Sequence, residues 1–346
     1  MQRIEITERE AGRRLDAYLG KVLPGAGLSF ICRMLRKKNI KLNGARAEGA
    51  ARINAGDVIE LFFSDETYAR LKDPHRVLRE DAVAHDDEAN AAQASVGGRQ
   101  EAERRQYLDA YEKLKHVFVV YEDDDFIFID KPVGVLSQKS DDESASVNEW
   151  LVGREIAEHG TTMESLTTFK PAFANRLDRN TSGIMLGGKT LRALQTLGSL
   201  IRSGQIEKIY LCLADGHPDP EFAVTADRFY QATGYLIKDE ENNMVRVFRT
   251  SREGAKKIRT GYRLVEDRTE DMLLEVNLYT GKSHQIRAQL SELGHPVVGD
   301  PKYGGRKVSG VRQMLHAYKV IFPEVDGFPA ISGREFRTRV PSRFNK

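Results

Sequence analysis

Cysteine is nearly missing from this chain. Cys32 and Cys212 are the only two in 346 residues, so a disulfide framework is not expected, and the pair fits a reducing cytoplasm. No run approaches the roughly 20 apolar residues of a membrane helix. The opening MQRIEITEREAGRRLD is polar from the start and lacks the apolar core of a secretory signal. His284, His295 and His316 show no metal-ligand spacing, and no cysteine or carboxylate cluster joins them, so no metal is expected. Gly281-Lys282-Ser283 resembles the end of a phosphate-binding loop. Val276 stands where that loop needs its first glycine, which excludes nucleotide hydrolysis of that type. No internal repeat is visible.

What is present is charge, unevenly placed. Residues 1–64 hold twelve Lys or Arg against seven Asp or Glu, a balance of +5, while residues 65–115 hold nine against twelve, a balance of −3. The basic end suggests an anchor for phosphates. Within residues 1–64, Leu15, Leu19 and Leu23 fall four apart, the stripe of an amphipathic helix. Ser29 is placed to cap a second helix, FICRMLRKKN, whose Arg33, Arg36 and Lys37 share one face. An alternating strand follows, with an Asn43-Gly44 turn, and INAGDVIELFF closes the unit. Residues 65–115 are charged, alanine-rich and poor in branched apolar side chains, and read as a flexible linker. Its tail, with Tyr107, Tyr111 and Leu114 on one side, suits a short helix.

Residues 116–346 form the larger domain. Strand-like runs (VFVVYEDDDFIFID, SGIMLGG, IYLCLADG, DMLLEVNLYT, LHAYKVIFP) mix with helical patterns after Thr190 and Gly281 without strict alternation. The fold class is therefore α+β.

Two segments carry chemistry. Asn175–Gly183, NRLDRNTSG, packs arginines, an aspartate and hydroxyl side chains into a stretch without regular periodicity, as functional loops do. Asp178 between Arg176 and Arg179 would stay ionised, and an oriented carboxylate is a usable nucleophile. Thr280–Leu290, TGKSHQIRAQL, ends a strand and starts a helix near Ser283; His284 and Arg287 share a face, with Ile286 and Leu290 on the buried side. Two further segments, Lys208–Gly216 with Tyr210 and the proline- and glycine-rich 294–305, read alone as a strand and a tight loop.

Together and in this order, these segments resemble the RluA family of pseudouridine synthases, over roughly Val117 to Phe322. The matching residues are Arg176-Leu177-Asp178 with Thr181-Ser182-Gly183, Thr280-Gly281 with His284-Gln285-Ile286-Arg287, and Gly294-His295-Pro296. Lys208 with Tyr210, Lys131-Pro132 with Gly134, and Leu315-His316-Ala317 complete the set. The resemblance implies a large mixed or antiparallel sheet flanked by helices, and isomerisation of uridine in RNA after base flipping. It makes Asp178 the nucleophile, Tyr210 a stacking partner of the base and Arg287 the ion-pair partner of Asp178. Arg176, Leu177, His284 and Ile286 become substrate-binding residues.

Residues 1–64 separately resemble the alpha-L RNA-binding domain of the S-four ribosomal protein type, through Arg14-Leu15-Asp16, Ser29, Asn43-Gly44 and Ala55-Gly56-Asp57. That implies a small α/β domain with Arg33, Arg36, Lys37 and Lys41 on RNA phosphates. The whole is expected to be a cytoplasmic monomer acting on RNA, ribosomal RNA above all, without cofactor, metal or membrane. Asn175 stands where many relatives carry histidine, and Lys282-Ser283 replaces a commoner Arg-Thr. The alternative is a non-catalytic RNA-binding or ribosome-assembly factor on the same fold; a glycosidic-bond hydrolase would want a second carboxylate that these segments lack.

Overall fold

The computed structural model describes residues 2–72, 86–140, 144–219, 228–239 and 242–345. In the N-terminal unit, strands β1 (Gln2–Glu5), β2 (Ile40–Leu42) and β3 (Val58–Leu61) form an antiparallel sheet in the order β1-β3-β2. Helices α1 (Leu15–Val22) and α2 (Leu28–Arg36) pack together on a core of their own. The leucine stripe explains α1: Leu15, Leu19 and Leu23 are all fully buried. Asn43 and Gly44 both take positive φ, and Leu42 and Ala45 exchange backbone hydrogen bonds across them. That is the two-residue turn expected from the Asn-Gly pair. Ser29 is not the cap of α2. The helix starts two residues earlier, with Gly27 at the N-cap position and no side-chain cap, and Ser29 is its second residue.

The stretch read as a flexible linker differs in the described residues. It carries α3 (Asp65–Lys72) and the long α4 (Asp86–Lys113); residues 73–85 lie outside the described residues. The C-terminal part of α4 packs along α5 (Val147–His159). Tyr107 and Leu108 lie against Val152 and Ile156, and Leu114 joins the main core. Gly153 permits the close crossing: a Cβ there would stand 2.0 Å from the Tyr107 carbonyl oxygen. The apolar side formed by Tyr107, Tyr111 and Leu114 thus outweighs the polar composition around it.

The second unit is built on one mixed sheet of eleven strands. Its path runs β10 (Met244–Phe248), β9 (Tyr230–Asp239), β11 (Lys256–Asp267), β12 (Asp271–Leu278), β8 (Glu207–Asp215), β13 (Leu315–Ile321), β7 (Ser182–Gly188), β5 (Phe126–Lys131), β4 (Phe118–Glu122). β14 (Glu335–Arg337) adds to β13 and β6 (Ala172–Phe173) to β7. Among the described strand pairs β7–β13 is the parallel one; its seam is tight enough that a Cβ on Gly183, at φ 117°, would meet the Ala317 carbonyl oxygen at 2.2 Å. Helix α6 is Met163–Thr168. Helix α7 (Leu191–Ser203) runs from its Thr190 cap to a left-handed Gly204, as the leucine spacing predicts. Helix α8 (Gln285–Glu292) lies over the strands of the far half, with Ala288 against Leu236, Val245 and Val247. The class is the expected α+β.

The two units touch. Arg9 donates to the carboxylate of Glu155, which is fully buried, and to the Thr161 hydroxyl. Lys72 pairs with Glu164 at 3.1 Å. Near this seam Glu122, Glu155 and His159 bring ligand atoms within 4.8 Å of one another. Their carboxylates are already occupied by cations, Glu122 by Arg154 and Lys189 and Glu155 by Arg9, so the cluster reads as an ion-pair network. Among the described residues no helix is long and apolar enough to cross a membrane.

Candidate active site

Asp178 sits in the irregular segment that enters β7, and its backbone is pinned from several sides. The Leu177 N–H donates to Ser137 Oγ at 3.0 Å, and that hydroxyl donates back to the Leu177 carbonyl at 2.7 Å. The Arg179 carbonyl accepts from the Gly134 N–H at 2.8 Å and from Lys131 Nζ at 3.2 Å. Lys131, at the end of β5, is fully buried and also donates to the carbonyls of Pro132 and Val135, so each ammonium hydrogen has an acceptor. Burial pushes it down to about 7, against the upward pull of Asp178 and Asp130. A loop tied this way presents its carboxylate in one place.

Arg287 comes from the first turn of α8. Its Nη1 donates to Asp178 Oδ2 at 2.7 Å, while Nε and Nη2 grip both oxygens of Asp300 at 2.6 and 2.8 Å. The result is a line of carboxylate, guanidinium and carboxylate. Asp300 and Arg287 are buried; the Asp178 side chain keeps 28% of its exposure, so the Asp178 end of the line is the open one. Burial alone would lower the Arg287 pKa, but the hydrogen bond to Asp300 and the charges of both aspartates outweigh it and raise it.

His284 caps α8 from a left-handed backbone conformation, φ 54°. Its Nδ1 is 2.8 Å from the Tyr303 hydroxyl and its Nε2 3.8 Å from Asp178 Oδ1. The Tyr303 hydroxyl also accepts from the Val245 N–H at 3.0 Å, so one phenol bridges the edge strand β10 and His284. Burial holds His284 below the ordinary histidine range, with Asp178 opposing. Tyr210, on β8, is buried in the core; burial first and the Asp178 charge second push its phenol well up, so it stays protonated.

The profile described as RNA pseudouridylate synthase matches residues 125–292, a span that runs from β5 through α8 and includes Asp178, Tyr210 and Arg287. Residues 125–292 are an RNA pseudouridylate synthase domain. It is thus an isomerase acting on uridine in RNA. Its sequence is 27% identical over 334 residues to "Ribosomal large subunit pseudouridine synthase C" of Vibrio cholerae, covering 93% of this chain and 89% of that one. The protein of the same name from Escherichia coli is 29% identical over 316 residues, covering 91% and 82%. Among solved structures, "Human RNA Pseudouridylate Synthase Domain Containing 4" shares the fold, with a TM-score of 0.54 at 19% identity over 69% of this chain and 94% of that one.

Against the expectations for this family, the structure brings Asp178, Arg287 and His284 together, with Tyr210 feeling the charge of Asp178. The flanking arginines are arranged otherwise than expected. Arg179 turns to the Gly134 carbonyl and Ser144, and Arg176 is exposed, so the direct partner of Asp178 is Arg287. Leu177 and Ile286 lie in the hydrophobic core, at 8% and 4% exposure. His316 and His295 lie in other networks: His316 bridges Ser182 and Thr338, and His295 meets Asp219. In the N-terminal unit Arg33, Arg36 and Lys37 are exposed; Arg33 lies over Phe30 and Lys41 over Phe62.

Sequence reasoning did not single out Asp300 or Tyr303. Both come from the 294–305 loop, whose glycines were legible as a shaped turn. The signal that marks them is the bare carboxylate of Asp300 inside that turn, a charge that must find a buried partner.

Proposed function

We propose that this enzyme isomerises uridines of large-subunit ribosomal RNA, in the cytoplasm, as a monomer and without metal or cofactor. The names of the relatives support the target. The residues at the site support the chemistry. The N1–C1′ bond breaks, uracil turns, C5 bonds to C1′, the C5 proton leaves and N1 gains one. Asp178 is the nucleophile, and the observation that carries this reading is its position at the open end of the Asp300–Arg287–Asp178 line. Arg287 keeps it charged and aimed. Tyr210 stacks against the base; a phenol held neutral by burial serves as a face and a proton relay rather than as a resident phenolate. Arg176, exposed beside the nucleophile, fills the space the flipped uridine vacates. His284, the loop at Leu177 and the first turn of α8 at Ile286 shape the uracil site.

The N-terminal unit is an alpha-L type RNA-binding domain in this reading. Two helices against a small sheet, with exposed Arg33, Arg36 and Lys37 beside Lys41 and paired aromatic rings, suit phosphate contact. The deciding experiment is tritium release from carbon-5-labelled uridine in ribosomal RNA transcripts. Wild type releases tritium and forms pseudouridine without free uracil, and Asp178→Asn does neither. Tight, salt-sensitive binding without release from any RNA would favour a non-catalytic assembly factor instead.

A further inference from the structure

Between the edge strand β10 and the last turn of α8 runs an open groove of about 600 Å³. Four cationic side chains line it, Arg246, Arg249, Arg252 and Lys302, and Glu292 is the one carboxylate among its lining residues. On the neighbouring strands and loop, by contrast, Arg263 pairs with Glu275, and Arg306 with Asp215, Glu270 and Asp271. Among the described residues, none of the four groove cations is held in an ion pair. Arg252 instead lies 3.9 Å over the ring of Phe248, making a flat cationic platform on the groove wall. Unneutralised cations beside an aromatic face are what an RNA strand is held by.

The groove also leads somewhere. Its end is formed by Tyr303, whose hydroxyl holds both the Val245 N–H of the edge strand and His284 Nδ1, and His284 Nε2 faces Asp178 at 3.8 Å. The groove is open along its length, which suits a chain passing through better than a small molecule enclosed.

We propose that the β10–α8 groove is a second RNA-binding surface, holding the single-stranded segment that flanks the flipped uridine, with Arg246, Arg249 and Arg252 on its phosphates. This rests on the RNA-isomerase reading and names where the substrate strand leaves the site. The Tyr303–His284 bridge ties the wall of the groove to the nucleophile, so that a strand seated there braces the face of Asp178 not held by Arg287.

The test uses the full chain carrying Asp178→Asn and a transcript of large-subunit ribosomal RNA, with Kd measured across a series of KCl concentrations. Replacing Arg246, Arg249 and Arg252 with serine is expected to weaken binding about ten-fold or more at low salt. It should also reduce the slope of log Kd against log salt by about 2, the loss of three phosphate contacts. A charge-matched control, Arg104→Ser with Arg105→Ser and Lys113→Ser on α4, should leave the slope near that of the parent. With 4-thiouridine placed beside the target uridine, cross-links should fall on the peptide 244–252. Equal slopes for the two triple variants, or cross-links only outside that peptide, overturn the proposal and leave the open strand edge to a protein strand. Tritium release by the otherwise wild-type enzyme on the same transcript is scored separately. Release with an unchanged groove slope sinks the groove alone; no release with a reduced slope sinks the isomerase reading on this RNA and keeps the groove as an RNA surface.

Discussion

Asp300 never needs to meet the uridine to matter. Arg287 offers its Nε and Nη2 to Asp300 and only Nη1 to Asp178, so the buried aspartate fixes the plane of the guanidinium and thereby the direction of its last hydrogen bond. Asp300→Asn keeps the size but turns an acceptor into an amide N–H facing a guanidinium N–H. The expected outcome is a loss of kcat of about a hundred-fold, or ~2.7 kcal/mol of barrier, with KM for RNA little changed, since the group lies away from the RNA surfaces. Single-turnover tritium release separates the two constants. Arg287→Lys should behave alike despite keeping its charge, because a point ammonium holds no plane. A kcat near wild type in both variants would remove Asp300 from any positioning role. At this scale the residues alone were informative about identity, while the pairing of Asp178 with Arg287 was expected from the family resemblance and not from local pattern. The Asp178–Arg287 contact spans 109 positions, and nothing local to Arg176 or Arg179 signals that they turn elsewhere.

At the scale of elements, the parallel seam between β7 and β13 is stitched by His316. Its Nδ1 lies 2.8 Å from Ser182 Oγ at the start of β7, and its Nε2 lies 2.8 Å from the Thr338 hydroxyl just past β14. The imidazole is fully buried; burial first, and the charge of Arg343 second, push it down to about 4, against a hydrogen bond to the backbone of Arg339. A base whose folded pKa lies below its unfolded one binds fewer protons when native. Its contribution is present in full above about pH 6.5 and is lost as the pH falls toward 4, up to ~3 kcal/mol. Urea melts of wild type should therefore show stability falling with acid through that window, and His316→Gln should flatten this part of the dependence even where it lowers stability overall. Parallel curves for both proteins would mean that other groups set the acid limb. The elements were unequally legible in sequence. β7, β8, β12 and β13 are mostly buried and rich in apolar residues, so they stand out as strands, and α7 announces itself by its caps. β9, β10 and β11 were not singled out. Their exposed positions carry Lys, Arg and Thr, and Gly234 and Gly261 interrupt them, so they resemble loop until pairing supplies the partner strands. The α4 helix was masked by its composition, its packing face confined to Tyr107, Tyr111 and Leu114.

For the whole molecule, the question is what fixes the basic N-terminal unit relative to the sheet that carries Asp178. Arg9 answers part of it. The carboxylate of Glu155 is fully buried, one of its oxygens has no hydrogen-bond partner among the described residues, and Arg9 from the other unit supplies its compensating charge. A buried carboxylate stripped of its partner is costly, about 3–5 kcal/mol, whereas replacing both members with apolar groups of similar volume is often nearly neutral. Arg9→Met alone should thus destabilise the protein strongly and loosen the seam that Lys72 and Glu164 hold only at the surface. The double variant Arg9→Met with Glu155→Leu should recover stability to within about 1 kcal/mol of wild type, because neither charge is left uncompensated. Denaturant melts of the two single variants and the double variant close the thermodynamic cycle. Recovery of stability together with a raised KM for RNA would show that the latch serves alignment: the units remain folded, but the basic surface at Arg33 and Arg36 no longer meets the RNA in register with the catalytic loop. Additive losses in the double variant would instead mean that Arg9 and Glu155 act independently, and that the orientation of the two units is set by the packing of α1 against α6.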